Sequence, residues 1–228
     1  MRLLCVSDIQ GNLAALQAVL ATAERVNFQK LLAAGDMLFP GPEPLETWRR
    51  LSGAGAVMVQ GATERALSTL SPETIRSAAS PQEKAMSDRF AAVQKELGDV
   101  VLERIRRLPA QERIPLEDGR ELLLIHGSPA DPLEAMSADL DDDELMALMG
   151  DDPADIVVCG MSHVPFDRII GDVRIVNVGS VGDAPDGRKP GDPIARYAHA
   201  TWIESTKAGL DVEQFIVSLG IRDADADE

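Results

Sequence analysis

The stretch LLCVSDIQGN, residues 3–12, decides the fold. Leu3-Leu4-Cys5-Val6 is continuously apolar, the pattern of a strand covered on both faces. The run stops at Ser7-Asp8. After Ile9-Gln10-Gly11, Asn12 is placed to cap a helix that carries Leu13, Leu16, Val19 and Leu20 at helical spacing. The same alternation then repeats. Lys30–Ala34 is a second apolar run ending at Gly35-Asp36, and Glu43–Leu51 reads as a short helix after the turn Pro40-Gly41-Pro42. Ala56–Val59 is a third strand, ending at Gln60-Gly61. Strand, helix, strand, helix, strand at this spacing predicts a parallel sheet with right-handed crossovers.

The pattern changes over residues 71–108. Ser80-Pro81 opens a long helical stretch with Phe90, Val93, Leu97, Val101, Leu102 and Ile105 on one stripe, read as a helical insertion packed beside the sheet. That stripe is core in the simplest reading and a protein-partner surface in the sharper one. Glu121–Ile125 and Asp155–Val158 are further apolar runs, with an acidic helix near Asp141–Met149 between them. Arg168–Val178 turns at Gly171-Asp172 and predicts a hairpin. Tyr197–Glu204 and Leu210–Val217 add strands. The expected organisation is one domain over residues 1–221 and an acidic, frayed tail over 222–228.

A net charge of −16 argues against nucleic acid and against an anionic membrane surface, since both require a positive face. No apolar run approaches a membrane span, and MRLLCVSD enters a strand pattern at once without a signal-peptide core, so cytoplasm is the expected compartment. Cys5 and Cys159 each lie inside an apolar run and read as buried thiols.

Chemistry-bearing residues collect where the apolar runs end. Asp8, Asp36, His126 and His163 follow four separate strands, and two of the three histidines in the chain are among them. Ligands in open α/β sheets gather outside the carboxyl ends of strands. The order D-x-Q-G-N, G-D, G-A-T-E, H-G and G-M-S-H resembles the calcineurin-like metallophosphoesterases, with GDMLFPGPEP, LIHGSP, GMSHVPF and NVGSVG similar beyond the ligands. The resemblance covers roughly residues 2–182. It implies a four-layer α/β/β/α sandwich of two face-to-face sheets and, in the family, two metal ions that bind a phosphate ester and activate water.

Carried over by position, the resemblance also implies losses. Asp8 and Asp36 match ligand aspartates, and His126 and His163 match ligand histidines. Gln10 stands where the family has a ligand histidine, Ala62 replaces an asparagine ligand, Thr63 the leaving-group acid and Met161 a further histidine; Glu64 keeps its acidic position. One implied ion position becomes Asp8, Gln10, Asp36 and His163, with the Gln10 carbonyl as a weak ligand or a hydrogen-bonding group. The other becomes Asp36, Ala62, His126 and Met161. Alanine offers no donor and a thioether suits hard cations poorly, so the second position is expected to stay empty. The expected cofactor is therefore at most one divalent ion, Mn²⁺, Mg²⁺ or Ca²⁺.

These substitutions imply a divergent family member with a degraded two-metal site and little or no classical phosphoesterase activity, binding one metal or a phosphate-containing small molecule. The alternatives are an active phosphatase, phosphodiesterase or dinucleoside polyphosphate hydrolase using Asp8, Asp36, His126 and His163, an unusual one-metal enzyme in which Glu64 or His126 is redeployed as acid or base, and a scaffold that uses the insertion. His199 matches no family ligand and reads as a core or surface residue.

Overall fold

A computed structural model describes residues 1–71, 80–151, 154–184 and 194–222. Two mixed sheets pack face to face. In the first the order is β10 (Gly209–Arg222), β9 (Ile194–Thr206), β1 (Arg2–Val6), β2 (Lys30–Ala33), β3 (Val57–Met58). In the second it is β4 (Gln111–Pro115), β5 (Glu121–Ile125), β6 (Ile156–Cys159), β8 (Val173–Asn177), β7 (Phe166–Ile170). The pairs β1–β2, β2–β3, β5–β6 and β6–β8 are parallel, so β1, β2, β5 and β6 all deliver their carboxyl ends to one region.

The continuous apolar character of β1 follows from its place in the layers. Leu3 and Cys5 join Leu32, Leu122, Leu124, Val158 and Ile203 between the sheets. Leu4 and Val6, pointing the other way, join Leu16, Val19 and Leu20 of α1 (Leu13–Ala23) on the outer face. Each fully buried side chain of this kind contributes about 1.5–3 kcal/mol. On the far side of the second sheet, Leu123, Ile125, Val157, Cys159 and Ile175 pack under Met136, Leu145 and Met149. The result is the α/β/β/α sandwich expected from the sequence. Both cysteines are buried and free.

The helices α2 (Pro44–Gly53), α3 (Ala62–Thr69) and α4 (Pro81–Arg106) complete the first outer layer, and α5 (Asp142–Ala147) belongs to the second. The stripe of α4 lies in the protein's own core: Phe90, Val93, Leu97 and Ile105 share a cluster with Trp48, Leu51 and Leu67. Gly98, with φ of 69° and ψ of 167°, interrupts α4, a break not anticipated from the periodicity. Arg89 of α4 donates to the carbonyls of Pro40 (2.8 Å) and Gly41, while Phe90 meets Phe39 edge to face at 5.5 Å. The helix thus braces the loop that follows Asp36. Part of the expected insertion, residues 72–79, and the tail from 223 lie outside the described residues.

Two strands differ from expectation. β3 is only two residues long, and β4, with the polar sequence QERIP, was not foreseen; it lies at the sheet edge, where an apolar pattern is not required. No helix among the described residues is long and apolar enough to cross a membrane.

Candidate functional site

The backbone announces the site before the side chains do. Six non-glycine residues among those described have positive φ: Asp8, Gln10, Asn27, Asp36, Met161 and His163. Five of the six are strand-end residues singled out above. Left-handed backbone costs roughly 1–2 kcal/mol for a residue with a Cβ, and such residues persist only where surrounding contacts enforce them. Here those contacts are visible. The amides of Asp8, Gln10 and Gly11 donate to the carbonyls of Gly35, Asp36 and Met37 at 2.8–3.0 Å, which locks the β1 and β2 loops together.

Asp8 is fully buried. Its Oδ2 accepts from the Met161 amide at 3.0 Å, so position 161 contributes its main chain while offering no hard side-chain donor. Its Oδ1 lies 3.2 Å from His163 Nε2, a charge contact that leaves Oδ1 without a hydrogen-bond partner. The Gln10 amide, Nε2, reaches the same His163 nitrogen at 3.2 Å. Close approach of the β6 loop depends on Gly160, where a Cβ would lie 2.0 Å from Ser7 Oγ and 2.6 Å from Asp8 Oδ2.

Asp36 faces two ways. Its Oδ1 accepts both the Thr63 amide (2.8 Å) and the Thr63 hydroxyl (3.0 Å). The N-cap of α3 is Gly61, which has no side chain to cap with, and the Asp36 carboxylate does that work from another loop. Its Oδ2 lies 3.5 Å from His126 Nε2. His126 Nδ1 is 2.8 Å from the Ala34 carbonyl; a carbonyl only accepts, so Nδ1 carries the proton and Nε2 is directed into the cleft. Burial opposes charge on the His126 ring, but the Asp36 carboxylate, helped by Asp8, prevails and pushes its pKa up to about 9. Asp36 is held below the usual carboxylate range, its burial outweighed by His126 and the two Thr63 donors.

Glu64 has a structural task. It is fully buried, and its Oε1 accepts from the amides of Met37 (2.9 Å) and Leu38 (3.2 Å) while Oε2 accepts from Gly61 (3.2 Å). Burial, reinforced by the Asp36 charge, pushes it up to about 7 against the pull of His126 and the amides.

Asp8, Asp36 and His126 offer ligand atoms that all lie within 4.8 Å of one another. His163 meets Asp8 through Nε2, and Gln10 meets His163 at that same nitrogen. His126, assigned in the sequence to the other ion position, converges with both aspartates, and His163, assigned to the first, meets Asp8. Six buried side-chain polar atoms lack a partner among the described residues, and Asp8 Oδ1 and His126 Nε2 are two of them. An unpaired buried polar atom costs about 1–3 kcal/mol. Two carboxylates and an imidazole nitrogen form a donor set that fits a divalent cation, and a cation at this point would satisfy both unpaired atoms.

Two organising residues escaped the sequence reading. Asn177 donates from Nδ2 to the carbonyls of Gly160 (2.6 Å) and Met136 (3.1 Å) and accepts the Gly179 amide, fastening the loop after β8 to the one after β6. Asp183 Oδ2 lies 3.3 Å from His163 Nδ1. His199 is buried in β9; burial lowers its pKa, and its ring faces the His163 main chain. The motif NVGSVG marked the Asn177 segment, whereas nothing local marked Asp183.

Residues 1–198 match the family model described as the calcineurin-like phosphoesterase superfamily domain, and the chain belongs to that superfamily of metal-dependent phosphoesterases. Hypothetical protein PH1004 from Pyrococcus horikoshii OT3 is 22% identical with a TM-score of 0.74, over 95% of this chain and 87% of the other. A metallophosphoesterase from Sphaerobacter thermophilus is 22% identical with a TM-score of 0.70, over 97% and 89%. Wild-type Vps29 complexed with zinc, from Entamoeba histolytica, is 16% identical with a TM-score of 0.51, over 96% and 100%. At these identities the likeness is one of fold. No curated protein matches the chain.

Proposed function

We propose that this protein is a divergent metallophosphoesterase that holds one divalent cation, binds a phosphate-containing small molecule beside it, and has little or no classical two-metal phosphoesterase activity. The observation that carries this reading is the pair of buried atoms Asp8 Oδ1 and His126 Nε2, neither with a hydrogen-bond partner among the described residues, on residues whose ligand atoms lie with that of Asp36 within 4.8 Å of one another. Asp8, Asp36 and His126 would hold the ion, joined by His163 through Nε2, with the Gln10 side chain at its margin. Mn²⁺, Mg²⁺ and Ca²⁺ suit the oxygen-rich set.

A second ion is poorly served. It would draw on Asp36 Oδ1, already occupied by two Thr63 donors, and on Ala62 and Met161, which supply no hard ligand. A bound ion supplies Lewis-acid polarisation of a phosphoryl oxygen. Around it the chain's own groups position and shield: Glu64 fixes the loop after Asp36, and Thr63, an aliphatic hydroxyl with no useful pKa near neutrality, is a hydrogen-bond donor to Asp36 and not an acid. Loss of a general acid lowers rates by about 10²–10⁴.

Elemental mass spectrometry of protein incubated with Mn²⁺ and desalted, against an Asp36→Asn control, tests the stoichiometry. About one ion per wild-type chain, absent from the control, is expected; two would overturn the reading. Gln10→His, Ala62→Asn, Thr63→His and Met161→His combined should raise Mn²⁺-dependent phosphodiesterase activity strongly. Substantial wild-type activity left flat by the four changes would instead favour an active hydrolase of phosphoesters or dinucleoside polyphosphates.

A further inference from the structure

We propose that Asp183 is a positioning residue for His163, holding its ring so that Nε2 is presented to Asp8 and the cation; the proposal rests on the one-ion reading. The His163 imidazole is flanked by a carboxylate on each nitrogen. Nε2 lies 3.2 Å from Asp8 Oδ1, and Nδ1 lies 3.3 Å from Asp183 Oδ2. Both ring nitrogens face a carboxylate, but Nε2 also meets Gln10 Nε2 at 3.2 Å, and an amide nitrogen only donates; in the neutral ring Nε2 is therefore the acceptor and the proton sits on Nδ1, facing Asp183.

The framework makes the pairing more than a chance surface contact. The Ser180 hydroxyl donates to the Asp8 carbonyl at 2.9 Å and accepts the Asp183 amide at 2.8 Å. The Gly182 amide donates to the same Asp8 carbonyl at 2.9 Å, and Val181 to Ser7 at 3.0 Å. The residue that would ligate the ion and the residue that would orient the histidine are thereby fixed to one another through a single hydroxyl and one peptide. His163 itself stands on a left-handed backbone, with φ of 61°, so its ring direction is set from both ends. Outer carboxylates on ligand histidines fix the tautomer and raise ligand basicity, and their loss typically weakens metal affinity about 10–100-fold.

Mn²⁺ affinity by calorimetry is compared for wild type, Asp183→Asn, Asp183→Ala, His163→Ala and the double variant Asp183→Ala/His163→Ala. Asp183→Ala should weaken binding about 10-fold, Asp183→Asn less, and Asp183→Ala should add nothing once His163 is gone. An unchanged affinity in Asp183→Ala, or an equal loss in the His163→Ala background, overturns the proposal. The ring nitrogens are read separately by ¹⁵N NMR of metal-free protein at a pH where the rings are neutral, with three histidines in the chain to assign. Wild-type His163 should be protonated at Nδ1, with that proton's resonance displaced in Asp183→Ala. Protonation at Nε2 in the wild type overturns the proposal. If wild-type protein binds no Mn²⁺, the one-ion reading fails, and the nitrogen signals alone decide the role of Asp183.

Discussion

Thr63 binds Asp36 twice, through its amide at 2.8 Å and its hydroxyl at 3.0 Å, and both bonds end on the same carboxylate oxygen. The carboxylate that the family resemblance matches to a bridging ligand is here the cap of a helix. The two roles separate by mutation. Asp36→Asn keeps an acceptor for Thr63 but not the charge that faces His126, so it should lose the ion and, in urea unfolding, approach wild type only above about pH 9, where the His126 ring is neutral. Asp36→Ala should lose the ion and about 1 kcal/mol more of stability, the usual size of a lost N-cap.

The pH dependence of the metal-free protein follows from His126. Its folded pKa of about 9 lies above the ordinary value of 6.5. The stabilisation from the charged ring is therefore complete below about 6.5 and is lost as pH rises through about 9. Urea midpoints in chelator should fall over that window, and His126→Gln should flatten the fall. Mn²⁺ affinity should move the opposite way and rise with pH, since a proton and an ion compete for Nε2. A midpoint that climbs between pH 6.5 and 9 would contradict the ion pair with Asp36.

Glu64 should prove structural. Glu64→Ala strands three buried amides, those of Met37, Leu38 and Gly61. A loss of about 1.5–3 kcal/mol is expected, the worth of hydrogen bonds to a charged group. Glu64→Gln, with one acceptor oxygen in place of two, should fall between the alanine variant and wild type. A variant with wild-type stability but lost ligand binding would make Glu64 a functional acid instead.

Gly160→Ala should disturb Asp8 directly. The added methyl would lie 2.0 Å from Ser7 Oγ and 2.6 Å from Asp8 Oδ2, and one of the two must move. Overpacking of this kind costs about 1–3 kcal/mol. Mn²⁺ affinity should drop as well, whereas Gly119→Ala, in open space but at a φ of 89°, should change stability alone.

The layers were legible because β1, β2, β5 and β6 are buried on both faces, and burial of that kind leaves uninterrupted apolar runs in the sequence. The edge strand β4 left no such trace. The identities of Asp8, Gln10, Asp36, His126 and His163 as strand-end residues were legible too, but the approach of His126 to Asp8 was not. It depends on loop geometry that brings His126 from the second sheet within reach of both aspartates of the first. The Asp36–Thr63 cap was hidden for a related reason: the N-cap is a glycine, and its missing acceptor is supplied by a loop 25 positions earlier in the chain. Asp183 has no local signature, since its meaning lies in one contact across the cleft.

Gln10 and Met161 stand on left-handed backbone, with φ of 54° and 68°. Neither side chain offers what a glycine or asparagine would offer to such a conformation, and the neighbouring loops impose it whatever occupies the position. The conformational expense is thus a property of the socket and not of its tenant. On the one-ion reading, exchanging the tenant at position 10 or 161 would alter which ions the site accepts, while the main-chain bonds from Gln10 to the Asp36 carbonyl and from Met161 to Asp8, which need no particular side chain at either position, would hold the loops as they are.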